Sequence, residues 1–421
     1  MRVAIIGGGI SGMALALSLR AAGIDDVEVY ESAPAIRELG VGINLLPHSV
    51  RELTELGLLD ALLAVGIPTA EFYYFTRRGQ QIWHEPLGVA AGYRWPQVSI
   101  HRGALLGVLH RALVERLGAH RVHPGHHLVR FGQEPSGQVW GAFIDRTTER
   151  SVGRVEADLL VGCDGIHSAV RRTLYPAEGP PRWNGVTMWR GVTVGAPFLS
   201  GRAMINAGSS KQRVVIYQIS KAEEDRGRAL INWVATMRTA DSGPMPPQDW
   251  TYTADCGEVL GAFAPFVFDF LDVPALIRGA AAIYQYPMVD RDPLPTWDFG
   301  RVTLLGDAAH PMHPVGGNGA SQAILDARVL ARELAIQPTI EEAVLDYEGN
   351  RRPATAAIVQ ANRRAGPHRC QDLVEEREPD GFTDLHDVVR EEELAAIADE
   401  YKLTAGFEIE RLNERASLSV R

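Results

Sequence analysis

Residues Gly7-Gly8-Gly9-Ile10-Ser11-Gly12 place glycine at all three positions of a GxGxxG turn. The first glycine permits the tight turn, the second lets a pyrophosphate approach the backbone, and the third lets a helix pack closely on a sheet. An acid, Glu31, follows Gly12 by 19 residues, where a carboxylate accepts hydrogen bonds from a ribose. That chemistry works only if the turn joins a strand to a helix, so that free N–H groups and the positive helix end face the phosphates. The flanking residues meet the condition. Residues 2–6 (RVAII) form a continuous β-branched apolar run, as in a strand buried on both faces. Gly12–Ala22 reads as a helix and Val27–Tyr30 as a second strand, completing a βαβ unit. Dinucleotide binding is expected rather than a merely tight turn, but the motif does not choose between NAD and FAD.

Two later turns have the same character. Asp164-Gly165 follows the apolar run Leu159-Leu160-Val161 and precedes a helix-like stretch. Gly306-Asp307-Ala308-Ala309-His310 follows the short strand Arg301–Leu305, and Pro314-Val315-Gly316-Gly317-Asn318-Gly319 leads into another helix. In a doubly wound sheet such turns meet at one crevice. No second GxGxxG and no GxxxxGK[ST] occurs, so one nucleotide fingerprint must serve.

The elements that position these turns divide the chain. Its 421 residues predict two or three domains, and 46% apolar with 22% charged residues excludes wholesale disorder. Residues 71–85 read as a hairpin around Arg78-Gly79, and Leu105, Leu109, Leu113 and Leu117 recur on one helix face. From 181 to 298 strand-like runs replace the βα alternation, predicting a separate, largely antiparallel sheet. The expected fold is α/β: a Rossmann-like domain (residues 1–70, 99–180 and 300–364), a mainly antiparallel β substrate domain (71–98 and 181–299) and a C-terminal helical tail (365–421). There is no internal repeat.

A net charge of −10 with no basic run argues against nucleic acid as a partner. Cys163, Cys256 and Cys370 are scattered and odd in number, so they read as buried thiols in a reducing cytosol. No uninterrupted apolar stretch reaches the length of a membrane span, and the glycines of the first apolar run disqualify it as a signal peptide. The protein is therefore expected in the cytoplasm, as a monomer or homodimer.

The trio GGGISG, CDGIHSAVR and GDAAHPMHPVGGNGASQA, in that order, resembles group A flavoprotein monooxygenases. Segments GVGINLLP, SIHRG, TMWRGV, INWV and YPMVDRDPLPTW are similar to the salicylate and hydroxynicotinate hydroxylase branch, and the likeness spans about residues 1–360. The resemblance implies FAD as cofactor, NADH or NADPH as a transient electron donor, and O₂. It also implies hydroxylation of an aromatic ring through a C4a-hydroperoxyflavin, the ring being carboxylated and phenazine-like, salicylate-like or heteroaromatic. By the same resemblance Gly7, Gly9, Ser11 and Gly12 form the pyrophosphate turn, Glu31 accepts from ribose, and Ser32, Gly42 and Leu128 also touch the cofactor. Arg102 would pair with the pyrophosphate, or else be an ordinary helix-start arginine. Asp164 would serve FAD and NAD(P)H, with Cys163 where alanine is usual. Asp307 would bind the ribityl chain or pyrophosphate, and Pro314, Gly317, Asn318 and Gly319 would bring backbone N–H groups to the flavin N1/O2 edge, where reduced flavin carries negative charge.

Catalysis of this kind rests on the cofactor rather than a side-chain triad. Some relatives have a histidine base where this chain has Asn44. Tyr217, in RVVIYQI, is the candidate substrate contact, with a core aromatic as its other reading. Trp189-Arg190 could clamp a carboxylate or form a strand-edge ion pair. His310 belongs to the third motif, and His313 lies beside the proposed flavin loop. His120, His123, His126 and His127 fit no metal-binding spacing. A related reductase or halogenase and a non-catalytic flavin-binding module are the competing readings; the halogenase WxWxIP segment is missing.

Overall fold

The computed structural model describes residues 1–36, 40–239 and 252–420. The run Val3–Ile6, buried at every position, is the middle strand of a five-stranded parallel sheet. Strand order is Val302–Leu304, Leu159–Gly162, Val3–Ile6, Val27–Tyr30 and Val122–His123. Helices Ile10–Ala21, Arg102–Leu117 and Gly319–Ile336 share one apolar core with this sheet. The antiparallel strands His127–Gln133, Val139–Ile144 and Ser151–Ala157 add Leu128, Val139 and Phe143 to the same core. Leu105, Leu109 and Leu113 are buried in it, while Leu117 at the helix end is only half-buried.

The first helix begins at Ile10, two residues before the expected start, so Gly12 lies inside its first turn. The helix leaves the strand so abruptly that a Cβ on Gly12 would stand 1.9 Å from the Gly7 carbonyl oxygen, and Gly7 itself has φ +110°. Gly316 and Gly317 similarly make a separate turn at φ +67° each, which delays the following helix to Gly319.

The second layer is a seven-stranded sheet in the order Tyr284–Asp290, Arg182–Gly195, Ala229–Arg238, Gln212–Gln218, Ala203–Gly208, Glu71–Phe75 and Gln81–Pro86. The predicted hairpin is part of this sheet because Phe75 enters its core. It joins through a parallel pair, Ala203–Gly208 with Glu71–Phe75, in an otherwise antiparallel array. The same stretch holds the short helices Cys256–Phe263 and Val273–Arg278, which cover one face of the sheet. Because side chains alternate along a strand, Trp189, Val214, Ile216 and Trp233 pack there, while Arg190, Arg213, Val215 and Tyr217 line a cavity on the other side.

A small sheet of Gly42–Leu45, Gln97–His101 and Ile67–Thr69 lies beside the cavity, which Gly42 and Gln97 help to line. The tail forms helices Arg369–Arg377, Glu391–Ala405 and Ile409–Glu414, packed against both main layers. Cys163 and Cys370 are buried but Cys256 is only half-buried, a correction to the reading of three buried thiols. Among the described residues no helix is long and apolar enough to cross a membrane.

Replacing Gly12 with valine should force helix and turn apart. Overpacking of this kind costs about 3 kcal/mol. Urea unfolding should register that loss, and desalted protein should carry no FAD. Retention of full flavin and full stability would contradict the tight packing described.

Candidate active site

The three strand-to-helix turns open on one cavity of about 1480 Å³. Gly7, Gly9 and Ser11 reach it from the first turn, Asp164 from the second, and Asp307, Pro314, Gly317 and Gly319 from the third. Glu31, Ser32, Arg102 and Leu128 line the same space, as do Gly42 and Tyr217 from the side of the large sheet. Gly12 is buried behind its turn. The Asn318 side chain is also fully buried, donating to Tyr401 Oη at 3.0 Å and accepting from Gln322 at 3.2 Å.

Two helix ends supply the cavity with hydrogen-bond donors. The first few N–H groups of a helix lack intrahelical partners and carry its positive dipole. Neither Ile10–Ala21 nor Gly319–Ile336 has a capping side-chain hydrogen bond. A Cβ built on Gly9 would meet no atom within 4 Å, so the backbone faces open cavity there. Two uncapped helix starts and a glycine cradle fit the diphosphate and the electron-rich ring edge of FAD.

The acids are placed differently from one another. Glu31 accepts from Gly8 N at 2.7 Å with one oxygen and from Ala33 N at 2.7 Å with the other, tying the end of its strand to the glycine turn. Asp164 accepts from Ser168 Oγ, from Ala169 N at 2.7 Å and from Val170 N at 3.3 Å, so its carboxylate organises the start of helix Ala169–Leu174. Burial raises the Asp164 pKa, against those hydrogen bonds. Asp307 is surrounded by protein yet open to the cavity. Burial pushes its pKa up, against the charges of His310 and Arg102. His310 bonds Asp326, which also accepts from Arg351 at 2.7 Å, so this histidine braces the motif from behind. His313 lines the cavity 3.7 Å from Asp290, and burial lowers its pKa.

Arg190 and Trp189 do not act together. Trp189 points into the second core and donates to Gln285 at 3.0 Å, while Arg190 lines the cavity. Nor is Arg190 on a strand edge, since its strand pairs on both sides. Its Nη2 donates to the Gly42 carbonyl at 2.7 Å, and its Nε, buried, has no partner. Burial lowers its pKa while Tyr217 opposes the shift, and no carboxylate among the described residues neutralises it. The Tyr217 hydroxyl is pushed up by burial and held back by the Arg190 charge. Asn44 Oδ1 accepts from Ser99 Oγ at 2.6 Å, and an amide does not titrate, so it supplies no base.

Asn232 lies in the INWV segment but was given no role there; its Oδ1 accepts from Gly42 N at 2.7 Å. Arg213 was equally unmarked, although its even spacing from Tyr217 on one strand places both on the cavity face. It donates to Asp372 at 3.0 Å and to His368 at 2.9 Å. Tyr401 and Lys402, also cavity residues, come from the tail, where no sequence signal pointed to them. Of the histidines 120–127, His123 bonds Glu28 at 2.6 Å and stacks on Tyr30, while His126 and His127 line the cavity. Among the described residues no cluster of three or more His, Cys, Asp or Glu is arranged to hold a metal.

A dinucleotide-type crevice thus opens onto one face of a second sheet, which lines it with Arg190 and Tyr217 as well as Met188, Met204 and Val215. The family described as FAD binding domain matches residues 1–249 and 287–362. The phenazine 1,6-dicarboxylic acid hydroxylase PhzS of Lysobacter antibioticus is 46% identical over 362 residues, covering 86% of this chain and 89% of that one. Salicylate hydroxylase of Pseudomonas putida is 32% identical over 402 residues, covering 90% and 87%. Among solved structures, a salicylate hydroxylase substrate complex superposes with a TM-score of 0.72 at 25% identity, covering 99% of each chain. Klebsiella pneumoniae HpxO with FAD and uric acid has the same fold (TM-score 0.74, 23% identity, 96% and 97% covered). The chain belongs to the FAD binding domain family of flavoproteins. It is an FAD-dependent aromatic hydroxylase, an oxidoreductase of the monooxygenase kind.

A Cβ on Gly42 would stand 2.7 Å from the Asn232 side chain and 2.8 Å from the Tyr217 ring. Gly42→Ala should therefore displace both. Steady-state kinetics should show a KM for the aromatic substrate raised about tenfold, the equivalent of about 1.4 kcal/mol, with FAD still bound. An unchanged KM would mean that this contact does not shape the substrate end.

Proposed function

We propose that this protein hydroxylates a carboxylated aromatic ring, a phenazine carboxylate foremost, at the expense of NADH or NADPH and O₂. The observation that carries the reading is Arg190. A guanidinium at the cavity wall without a counter-ion is costly, and a ligand carboxylate entering the cavity would neutralise it. Phenazine-dicarboxylate and salicylate, named for the relatives above, share an aromatic ring bearing that group. The cavity also exceeds the roughly 300–1,000 Å³ of an ordinary single-ligand site, in keeping with a cofactor and a substrate held together.

In this reading Gly7, Gly9, Ser11 and Gly12 form the pyrophosphate turn, with Arg102 supplying the facing charge. Glu31 and Ser32 lie at the adenosine ribose, Leu128 packs beside it, and Asp307 takes hydroxyls of the ribityl chain. Asp164 acts chiefly by holding its helix start in place. Residues Pro314–Gly319 present backbone N–H groups to the flavin ring edge, and Gly42 borders the ring from the opposite side. Bound FAD supplies the hydride acceptor and, once reduced, the site of O₂ activation. The protein's own contribution is positional and electrostatic. Arg190 holds the substrate carboxylate, Tyr217 donates a hydrogen bond that fixes the ring's orientation, and Met188, Met204 and Val215 keep bulk water from the reacting face.

The test is NADH oxidation in air by FAD-loaded protein, with salicylate, hydroxynicotinate, anthranilate and N-methylated phenazine carboxylate, and products separated by chromatography. The phenazine acid should stimulate oxidation most and gain one oxygen. Arg190→Gln should raise its KM roughly 10–100-fold, the worth of a hydrogen bond to a charged group, and Tyr217→Phe should lower kcat, both with flavin loading intact. No stimulation by any carboxylated ring, or wild-type kinetics in Arg190→Gln, would overturn the proposal.

A further inference from the structure

Residues 363–421 lie beyond the family match, yet part of this segment is built into the cavity wall. Tyr401, on helix Glu391–Ala405, is buried against the loop that precedes helix Gly319–Ile336. Its hydroxyl lies 3.0 Å from the Val315 carbonyl and 2.9 Å from Asn362 Oδ1, either of which can accept its proton, and it accepts from the Asn318 amide at 3.0 Å. The ring occupies the space above Gly316, where a Cβ would come within 2.3–2.5 Å of Tyr401 atoms. Gly316 is thus confined to its left-handed turn by a residue 85 positions away.

The consequence concerns Asn318. At a helix start an asparagine side chain usually accepts from its own helix's N–H groups. Here Tyr401 and Gln322 occupy the side chain, and the helix has no side-chain cap. Those N–H groups are left facing the cavity. The segment that delivers Tyr401 is itself anchored on both layers. Arg51 donates to the Leu412 carbonyl at 2.8 Å, and Lys402 pairs with Glu85 at 3.0 Å. Farther along the tail Tyr93 donates to the Phe407 carbonyl at 2.7 Å, with no hydrogen bond to the Val315–Asn318 loop.

We propose that Tyr401 is a positioning residue for the flavin: it holds Val315–Asn318 in the turn that keeps the helix start uncapped and aimed at the isoalloxazine ring. The proposal rests on the reading that this loop meets the flavin. In this role Tyr401 acts through the loop rather than on the substrate, so its effect must show in the cofactor's own properties.

The experiment compares Tyr401→Phe, Tyr93→Phe and Gly317→Val by FAD titration of the apoprotein and by the reduction potential of the bound flavin. Tyr93→Phe removes a buried hydrogen bond from the same tail without touching the loop. Gly317→Val strains the loop directly, since a β-branched residue is a backbone outlier at positive φ. Tyr401→Phe should weaken FAD roughly tenfold, the loss of one to two net hydrogen bonds. It should also make the flavin potential more negative, because negative charge on reduced flavin is less well stabilised. Tyr93→Phe should leave affinity and potential at wild-type values. If Gly317→Val weakens FAD while Tyr401→Phe behaves like Tyr93→Phe, the role given to Tyr401 is wrong and the loop reading stands. If Gly317→Val also leaves FAD binding unchanged, the loop reading falls, and the proposal with it. Should Tyr401→Phe not fold, Asn362→Ala, which removes one of the hydroxyl's acceptors from outside the loop, must shift affinity and potential in the same direction or the proposal fails.

Discussion

One residue without a side chain holds the two halves of this enzyme in register. Gly42 gives its amide to Asn232 and its carbonyl to Arg190, and leaves no room for a Cβ beside Tyr217. Through it the small sheet that follows the nucleotide-binding strands meets the polar face of the large sheet. The third turn closes in from the other direction, since a Cβ on Gly317 would be in ordinary contact with Asn44, 3.7 Å away. Cofactor loop and substrate face are thereby brought together at a point where backbone, not side chains, sets the spacing. A cavity wide enough for two ligands is the result.

The electrostatic design of that cavity is one of deliberate incompleteness. Helix ends and buried cations are often capped or paired, and one helix start and one arginine beside the second turn show it. Asp164 and Ser168 cap the start of Ala169–Leu174, and Arg171 is bonded to Glu178 and to the Ala308 and Ala309 carbonyls. Along the cavity, two helix starts have no side-chain cap and Arg190 has no counter-ion. The unmet demand is for negative charge, at the positions where a pyrophosphate, a reduced flavin and a substrate carboxylate would supply it. Beneath the third turn, by contrast, His310 and Arg351 both bond the buried Asp326.

The fold class and a dinucleotide site were legible from sequence because their signals are local, whereas FAD itself came from the family resemblance of three separated motifs. Glycine spacing, a β-branched run and an acid at the end of the second strand are all read within some thirty residues, and each reflects backbone sterics. The alternation of Arg213, Val215 and Tyr217 was equally readable once that stretch was a strand. What escaped depends on contacts between distant segments. The parallel joining of Glu71–Phe75 to Ala203–Gly208 is decided by where Phe75 finds a core. Asn232 and Tyr401 were given no role, since their importance lies in which distant groups they meet. Asp164 shows the reverse: the motif marked the position, but its carboxylate is spent on a helix start. The early start of the first helix has a physical cause as well, because Gly12 is needed inside the turn rather than before it.

The most direct test of this account is a crystal structure of the protein with FAD and a phenazine carboxylate. The account predicts the pyrophosphate over Gly9–Ser11, the flavin ring edge at the N–H groups of Gly317–Gly319, and the substrate carboxylate on Arg190 with its ring against Tyr217. A flavin edge turned away from that helix start, or a substrate carboxylate bound elsewhere while Arg190 stays unpaired, would contradict it.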